Sequence, residues 1–357
     1  MMSKHILFTG GGSAGHVTVN AALIPFFIKQ GWKVSYIGSK DGIENEIITE
    51  QFPEIPYRGI SSGKLRRYFS WKNFSDPFKV MKGLMEAKGV IKKTRPDVIF
   101  SKGGFVSVPV VMAAKMSGIP TAIHESDFTP GLANKLAVPF ATRIFTTFPE
   151  TLNSMPADKS ICAGAIIREE LFSGDKAEGK RITGFYDNKP ILMIMGGSLG
   201  SRKINEAVRK NLDELLKSYQ IVHLCGKGNL DTSLEQKGYK QYEYVSTELP
   251  HFLDMTDFVI SRAGSNSIFE FLALKKPMLL IPLSREASRG DQIINADSFV
   301  KQGIALKLEE EELSPETFKH NLDELERRSE EMILAMEKNK SSYTIEDMFN
   351  ELSRLSK

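Results

Sequence analysis

A chain of 357 residues exceeds what one ordinary hydrophobic core accommodates, so two domains are expected. Its 41% apolar and 25% charged residues describe a soluble globular protein, and no window approaches the ~20 consecutive apolar residues of a membrane span. The formal charge of +3 is unevenly spread: ten basic residues between Lys64 and Arg95 face only Asp76 and Glu86, a local +8 that leaves the rest of the chain net acidic. Such local basicity points to a defined anionic surface as partner and gives no reason to expect nucleic acid. Cys162 and Cys225 lack Cys-x-x-Cys spacing and read as buried reduced thiols, with no metal site indicated.

In chain order, Ile6–Phe8 is an apolar strand running into Gly10, Gly11, Gly12, Ser13 and Gly15, followed by His16 and a helix predicted over Val19–Lys29. Strand, glycine turn and helix together form a phosphate cradle, because glycine adopts the turn conformations and lets an anion approach the N–H groups at a helix start. Lys33–Ile37 reads as a strand and the segment after Asp41-Gly42 as a helix through Glu50. Phe78–Lys93 is a longer helix, Asp97–Phe100 a strand, Ser107–Met116 a helix and Thr121–His124 a strand. The order then repeats: strand Ile191–Met195, helix Lys203–Lys217, strands Gln220–Leu224 and Asp257–Ile260, helix Ser267–Leu274 and strand Met278–Ile281. Beyond Ser314 only charged helical sequence follows. Strands alternating with helices imply right-handed crossovers and parallel sheets.

The two halves agree in detail. Asp97-Val-Ile-Phe-Ser-Lys-Gly-Gly104 matches Asp257-Phe-Val-Ile-Ser-Arg-Ala-Gly264 at an offset of 160, and Gly12-Ser13 matches Gly197-Ser198 at an offset of 185. The first half thus holds 25 more residues between its glycine loops, and the basic window lies in that interval. The expected fold is α/β, with two tandem Rossmann-like domains facing a cleft. The expected domains span 1–163 and 164–340, with the C-terminal segment 341–357 packing back on the first. Ligands of such sheets sit at the carboxyl ends of the strands, where these loops lie.

The stretches GGGSAGHV at Gly10, SSGKLRR at Ser61, KGGFVSVP at Lys102, IHESDFTPGLANK at Ile123, GAIIRE at Gly164, MGGSLGS at Met195, CGKG at Cys225, SRAGSNSIFE at Ser261 and RGDQIINA at Arg289 are together highly specific. Over essentially its whole length the chain resembles the MurG family of cell-wall glycosyltransferases. The resemblance implies the GT-B fold and a UDP-N-acetylglucosamine donor. It implies lipid I, an undecaprenyl-diphosphate-linked muramyl peptide, as acceptor, giving lipid II with inversion at the sugar carbon. The protein would be peripheral, on the cytoplasmic side of the cell membrane, and would use no cofactor.

Carried over by motif, the donor site comprises Arg168 and the backbone near Val245 on the uracil and Glu270 on the ribose. Gly197, Ser198, Gly264, Ser265 and Asn266 would hold the diphosphate, and Gln292 the sugar. The acceptor diphosphate would rest on Gly12, Ser13, Gly15 and His16 and on Lys102, Gly103 and Gly104. Glu125 and Asp127 would lie near the attacking hydroxyl, with Asp127 also bordering the donor. His16 is the first candidate for the general base and Glu125 the second; His16 as a phosphate donor only remains open. Phe105 stands where many members carry Tyr, Asp127 where many carry Asn, and Asp291-Gln292 where Gln-Gln is frequent. No Asp-x-Asp pair occurs, so helix N-termini are expected to neutralise the leaving diphosphate.

A dehydrogenase would want an acid after the second strand, where Gly38-Ser39-Lys40 stands. A UDP-sugar epimerase would leave the basic window unexplained, and a glycolipid synthase acting on diacylglycerol would share the donor site. Arg66, Arg67, Tyr68, Phe69, Trp71, Phe74, Phe78, Val80, Met81 and Leu84 interleave cations with apolar groups in the basic window and are expected to dock on an anionic membrane surface.

Overall fold

A computed structural model describes residues 3–13, 15–63, 72–197, 200–286, 288, 290–339 and 343–356, with backbone only at 72–77. The chain divides into two compact units, Met1–Ile166 with Ser341–Lys357, and Ile167–Lys340.

The first unit is a seven-stranded sheet of β1 (His5–Thr9), β2 (Lys33–Ser39), β3 (Tyr57–Ile60), β4 (Val98–Ser101), β5 (Thr121–Glu125), β6 (Arg143–Thr146) and β7 (Ser160–Cys162) in the order β3-β2-β1-β4-β5-β6-β7. All neighbours are parallel. The second unit holds six parallel strands, β8 (Ile191–Met195), β9 (Gln220–Leu224), β10 (Tyr239–Tyr242), β11 (Phe258–Ser261), β12 (Met278–Leu280) and β13 (Leu306–Lys307), in the order β10-β9-β8-β11-β12-β13. The central strands are apolar throughout because helices cover both faces of a parallel sheet.

The internal repeat is visible at single hydrogen bonds. Asp97 and Asp257, 160 residues apart, each accept a 2.7 Å bond at Oδ2 from the first amide of the neighbouring central strand, His5 and Ile191. Asn20 and Asn205, 185 apart, occupy the same turn of the helix after each glycine loop. Their acceptors differ: Asn20 Nδ2 donates at 3.2 Å to the carbonyl of Thr9, at the end of β1, and Asn205 Nδ2 at 2.9 Å to that of Cys225, just after β9.

Five strands escape the sequence pattern: β3, β6, β7, β10 and β13 are two to four residues long and, unlike the equally short β4, β11 and β12, contain no run of three apolar residues. The first helix begins at Gly15, four residues before the expected Val19. Val17 and Val19 are buried in the core there, and this packing overrides their weak helix propensity. The helix expected over 203–217 is two, Arg202–Lys210 and Leu212–Ser218. They separate at Asn211, whose side-chain amide donates to the Ala207 carbonyl at 2.7 Å. A further helix, Asp291–Lys301, was not anticipated.

The helix Ile345–Leu355 buries Ile345, Met348 and Leu352 in the first unit's core, and the Phe349 ring stands 4.9 Å from that of Phe27. Cys162 and Cys225 are both free thiols.

Candidate functional site

In the first unit, the adjacent strands β1, β4 and β5 deliver three loops to one edge of the sheet. The β1 and β4 loops are joined by Gly11 N–H donating to the Gly103 carbonyl at 3.2 Å. Gly104 has φ +83°, and a Cβ there would collide with the Gly11 carbonyl, so this close approach requires glycine.

His16 Nδ1 lies 2.9 Å from the Gly11 carbonyl oxygen and 3.0 Å from Ser13 Oγ. A carbonyl oxygen can only accept, so Nδ1 carries the proton and the lone pair belongs to Nε2. Burial and then the Lys102 ammonium hold the His16 pKa below the ordinary histidine value, against the Gly11 carbonyl, Asp127 and Glu44. At neutral pH the ring is therefore uncharged, the form a general base needs.

Lys102 is 1% exposed, and burial lowers its pKa against the opposing pull of Glu125 and Asp127. Glu125 is buried as well. It accepts from Asp127 N–H at 3.0 Å, Gly131 N–H at 2.9 Å and Asn134 Nδ2 at 2.9 Å. Burial, then Asp127, raises its pKa, while the Asn134 amide opposes the shift. With three donors fixed on its oxygens, Glu125 clamps the loop after β5 at both ends.

Gly12, Ser13 and Gly15 are exposed, but the Gly12 N–H is already committed to Glu44 Oε2 at 3.0 Å. A buried carboxylate thus occupies the Gly12 donor in this structure. Neither Glu44 nor Asn134 was singled out in the sequence. Asn134 shows only as a polar residue inside a short helix, Leu132–Ala137, and Glu44 only as an acid in the first turn of the helix Ile43–Gln51.

In the second unit, β11 is followed by Arg262-Ala263-Gly264, and the helix Ser265–Ala273 then begins. Its N-cap, Gly264, supplies no side-chain oxygen, and a Cβ there would meet nothing within 4 Å. An α-helix leaves its first N–H groups without intrahelical acceptors, so an open, glycine-capped start is suited to an anion. One turn and a half along, Glu270 Oε1 accepts from Arg168 Nε at 3.0 Å, a pair 102 residues apart in sequence. Burial raises the Glu270 pKa and Arg168 opposes the shift.

Val245 is buried, and Gln292 Oε1 accepts from the Leu283 amide at 3.1 Å, which leaves the Gln292 amide nitrogen as its donor. Gly197 has φ +89° with open space beside it, while Ser198 lies outside the described residues. Asp127 belongs to the first unit's loop, beside Glu125. Among the described residues no three His, Cys, Asp or Glu side chains are grouped to hold a metal ion.

Residues 6–146 match the glycosyltransferase family 28 N-terminal domain, and residues 191–352 match the glycosyltransferase family 28 C-terminal domain. A protein of Clostridium tetani (strain Massachusetts / E88) is 56% identical over 94% of this chain and 93% of its own length. One of Bacillus anthracis is 56% identical over 98% and 99%. The chain belongs to the MurG family. Both relatives are named UDP-N-acetylglucosamine–N-acetylmuramyl-(pentapeptide) pyrophosphoryl-undecaprenol N-acetylglucosamine transferase, the second with the suffix 2. The fold is shared with the crystal structure of Acinetobacter baumannii MurG, at a TM-score of 0.76 and 23% identity over 98% of this chain and 99% of that one. The kitacinnamycin glycotransferase superposes with the same TM-score at 15% identity over the full length of both chains. Like other MurG-family members, then, this protein is a glycosyltransferase of the GT-B fold, built from two parallel-sheet α/β domains.

Proposed function

We propose that this protein transfers N-acetylglucosamine from UDP-N-acetylglucosamine to the muramyl sugar of an undecaprenyl-diphosphate-linked peptide, the lipid I to lipid II step of peptidoglycan synthesis. The observation that carries the reading is 56% identity, over nearly all of both chains, to proteins named for this reaction.

In the proposed mechanism Arg168 and Glu270 hold the nucleoside and the start of the helix Ser265–Ala273 holds the diphosphate. The acceptor hydroxyl attacks the anomeric carbon while its proton passes to His16 Nε2. The bond to the UDP oxygen breaks, its electron pair leaves with the diphosphate, and a single displacement inverts the sugar carbon. Helix N–H groups stabilise the charge that develops on the leaving group. Incubating the protein with radiolabelled UDP-N-acetylglucosamine, with and without lipid I, tests the assignment. Label must enter the lipid only when lipid I is present; release of free sugar or epimerised nucleotide sugar instead would exclude it.

Glu270→Ala is expected to weaken UDP binding by about 1.5–3 kcal/mol, the range for hydrogen bonds to a charged group, with an unchanged circular dichroism spectrum. Calorimetry showing wild-type UDP affinity would take Glu270 out of the donor site.

The same reading places the first unit on an anionic membrane surface. The helix Lys72–Thr94 has two faces. Leu84, Ala87 and Ile91 pack in the core with Val110, Ala113 and Ala114, so Leu84 is withdrawn from the docking group. On the other face Phe78, Met81 and Met85 are 79%, 60% and 62% exposed and share a stripe with exposed Lys82, Lys88 and Lys92. Arg66, Arg67, Tyr68, Phe69 and Trp71, and the side chain of Phe74, lie outside the described residues. Among those described, no helix is long and apolar enough to cross a membrane. Each cation near an anionic bilayer contributes about 1 kcal/mol, so Lys82, Lys88 and Lys92 changed together to Gln should cut sedimentation with anionic vesicles about 100-fold at low salt. Equal sedimentation of wild type and variant would refute docking through this face.

A further inference from the structure

Glu44 is wholly buried, and among the described residues no cation pairs with it. Its Oε1 accepts from Ser39 N–H at 2.8 Å and Ser39 Oγ at 2.5 Å, and its Oε2 from Gly12 N–H at 3.0 Å. A Cβ at Gly11, Gly38 or Gly42 would collide with the Glu44 side chain, so three glycines from three segments leave the space it fills. A site cleared so fully for a carboxylate that carries no counter-charge calls for a role beyond packing, because burying a lone charge is costly.

The Gly12 N–H and the Gly11 C=O belong to one peptide group. Its hydrogen faces Glu44 and its oxygen faces His16 Nδ1 at 2.9 Å. We infer that Glu44 is a positioning residue that acts on His16 through the Gly11–Gly12 peptide, as a carboxylate–peptide–imidazole relay. The inference rests on the reading of His16 as general base.

The carboxylate fixes the plane of the peptide so that its carbonyl meets Nδ1, which holds the Nε2 lone pair toward the reacting hydroxyl. A peptide polarised by a carboxylate on its N–H is also a stronger acceptor at its oxygen, since hydrogen bonds in a chain reinforce one another. When Nε2 takes the hydroxyl proton, the imidazolium charge is met by the carbonyl directly and by the buried carboxylate behind it. The same arrangement explains why the loop spends the Gly12 N–H on protein instead of phosphate.

The charged groups facing His16 are Lys102 from the β4 loop, Asp127 from the β5 loop and Glu44 from the helix after β2. Tyr36 and Tyr57, which feel the Glu44 charge, stay protonated because burial raises both phenols. Removing the Glu44 charge therefore lowers the affinity of His16 for a proton, and the acid limb of kcat/KM against pH moves to lower pH as the base weakens.

Glu44→Gln, which keeps the shape, is expected to lower kcat about tenfold or more, with KM for UDP-N-acetylglucosamine within about twofold, and to shift that limb down. In a His16→Ala background it should cost nothing further. Ser39→Ala, which removes a hydrogen bond to the same carboxylate and keeps its charge, should leave the limb in place. Nitrogen-15 NMR of the wild-type imidazole should report the Nδ1–H tautomer, and this readout does not depend on any variant folding. An Nε2–H tautomer, or a Glu44→Gln loss that leaves the acid limb unmoved and adds fully to His16→Ala, would overturn the relay. His16→Ala retaining more than about a tenth of turnover would instead overturn the base assignment.

Discussion

Replacing His16 with alanine should lower turnover by about two to four orders of magnitude, the range for losing a positioned general base, while UDP affinity stays within about twofold. The ring has its proton fixed on Nδ1 by the Gly11 carbonyl, 2.9 Å away, so Nε2 is the lone pair that is lost. Burial and Lys102 hold its pKa below the ordinary histidine value of 6.5. The wild-type kcat/KM should therefore stay level through neutral pH and fall only as pH drops below that value, where the ring becomes protonated. Single-turnover rates of wild type and variant over pH 5–9, with UDP binding measured in parallel by calorimetry, check both parts. A loss below about tenfold would direct the proton elsewhere, first to Glu125 despite its three hydrogen bonds.

Long apolar strands flanked by glycine were legible. Ile191–Met195 and Gln220–Leu224 stand as read, and the two segments matched at an offset of 160 form β4 and β11, each beside the first strand of its own sheet. Short polar strands such as Tyr239–Tyr242 were not, because four residues with a half-exposed face carry no periodic signal. The same limit applies to the site. His16 and the glycines announce themselves locally, since loop chemistry needs those residue types at that spacing. Glu44 does not. An acid in the first helical turn reads as a favourable partner of the helix dipole, and the glycines that clear its pocket are scattered at 11, 38 and 42. Asn20 and Asn205 recur at the end of both glycine motifs, a signal present in the sequence whose meaning depends on which carbonyls they reach.

The repeat also places Lys102 and Arg262 at equivalent positions, and the structure uses them in opposite ways. Arg262 is consumed by structure: Nη1 donates to the carbonyls of Ile281 at 3.0 Å and Pro282 at 3.1 Å, and Nη2 to Ser201 Oγ at 2.7 Å and to Glu310. It ties the ends of β11 and β12 to the loop after β8 and to a buried carboxylate. Arg262→Met should destabilise the protein by about 3–5 kcal/mol, the cost of breaking a buried pair, since the half-exposed Lys203 ammonium, 3.4 Å from Glu310, is then the cation left beside it among the described residues. The destabilisation should shrink as pH falls through the depressed Glu310 pKa, because a protonated Glu310 no longer needs a cation. Among the described residues Lys102 has no comparable set of hydrogen-bond partners, and burial lowers its pKa against the opposing pull of Glu125 and Asp127. Its folded state binds the proton less tightly than the unfolded chain, which costs stability at every pH below the unfolded value near 10.5. Lys102→Met should accordingly raise the unfolding midpoint at pH 7 while lowering turnover, because a cation held at that cost in the proposed acceptor loop serves binding. Denaturant melts of both variants between pH 4 and 8 give the answer. Equal destabilisation by the two would mean that Lys102, like Arg262, is a structural cation.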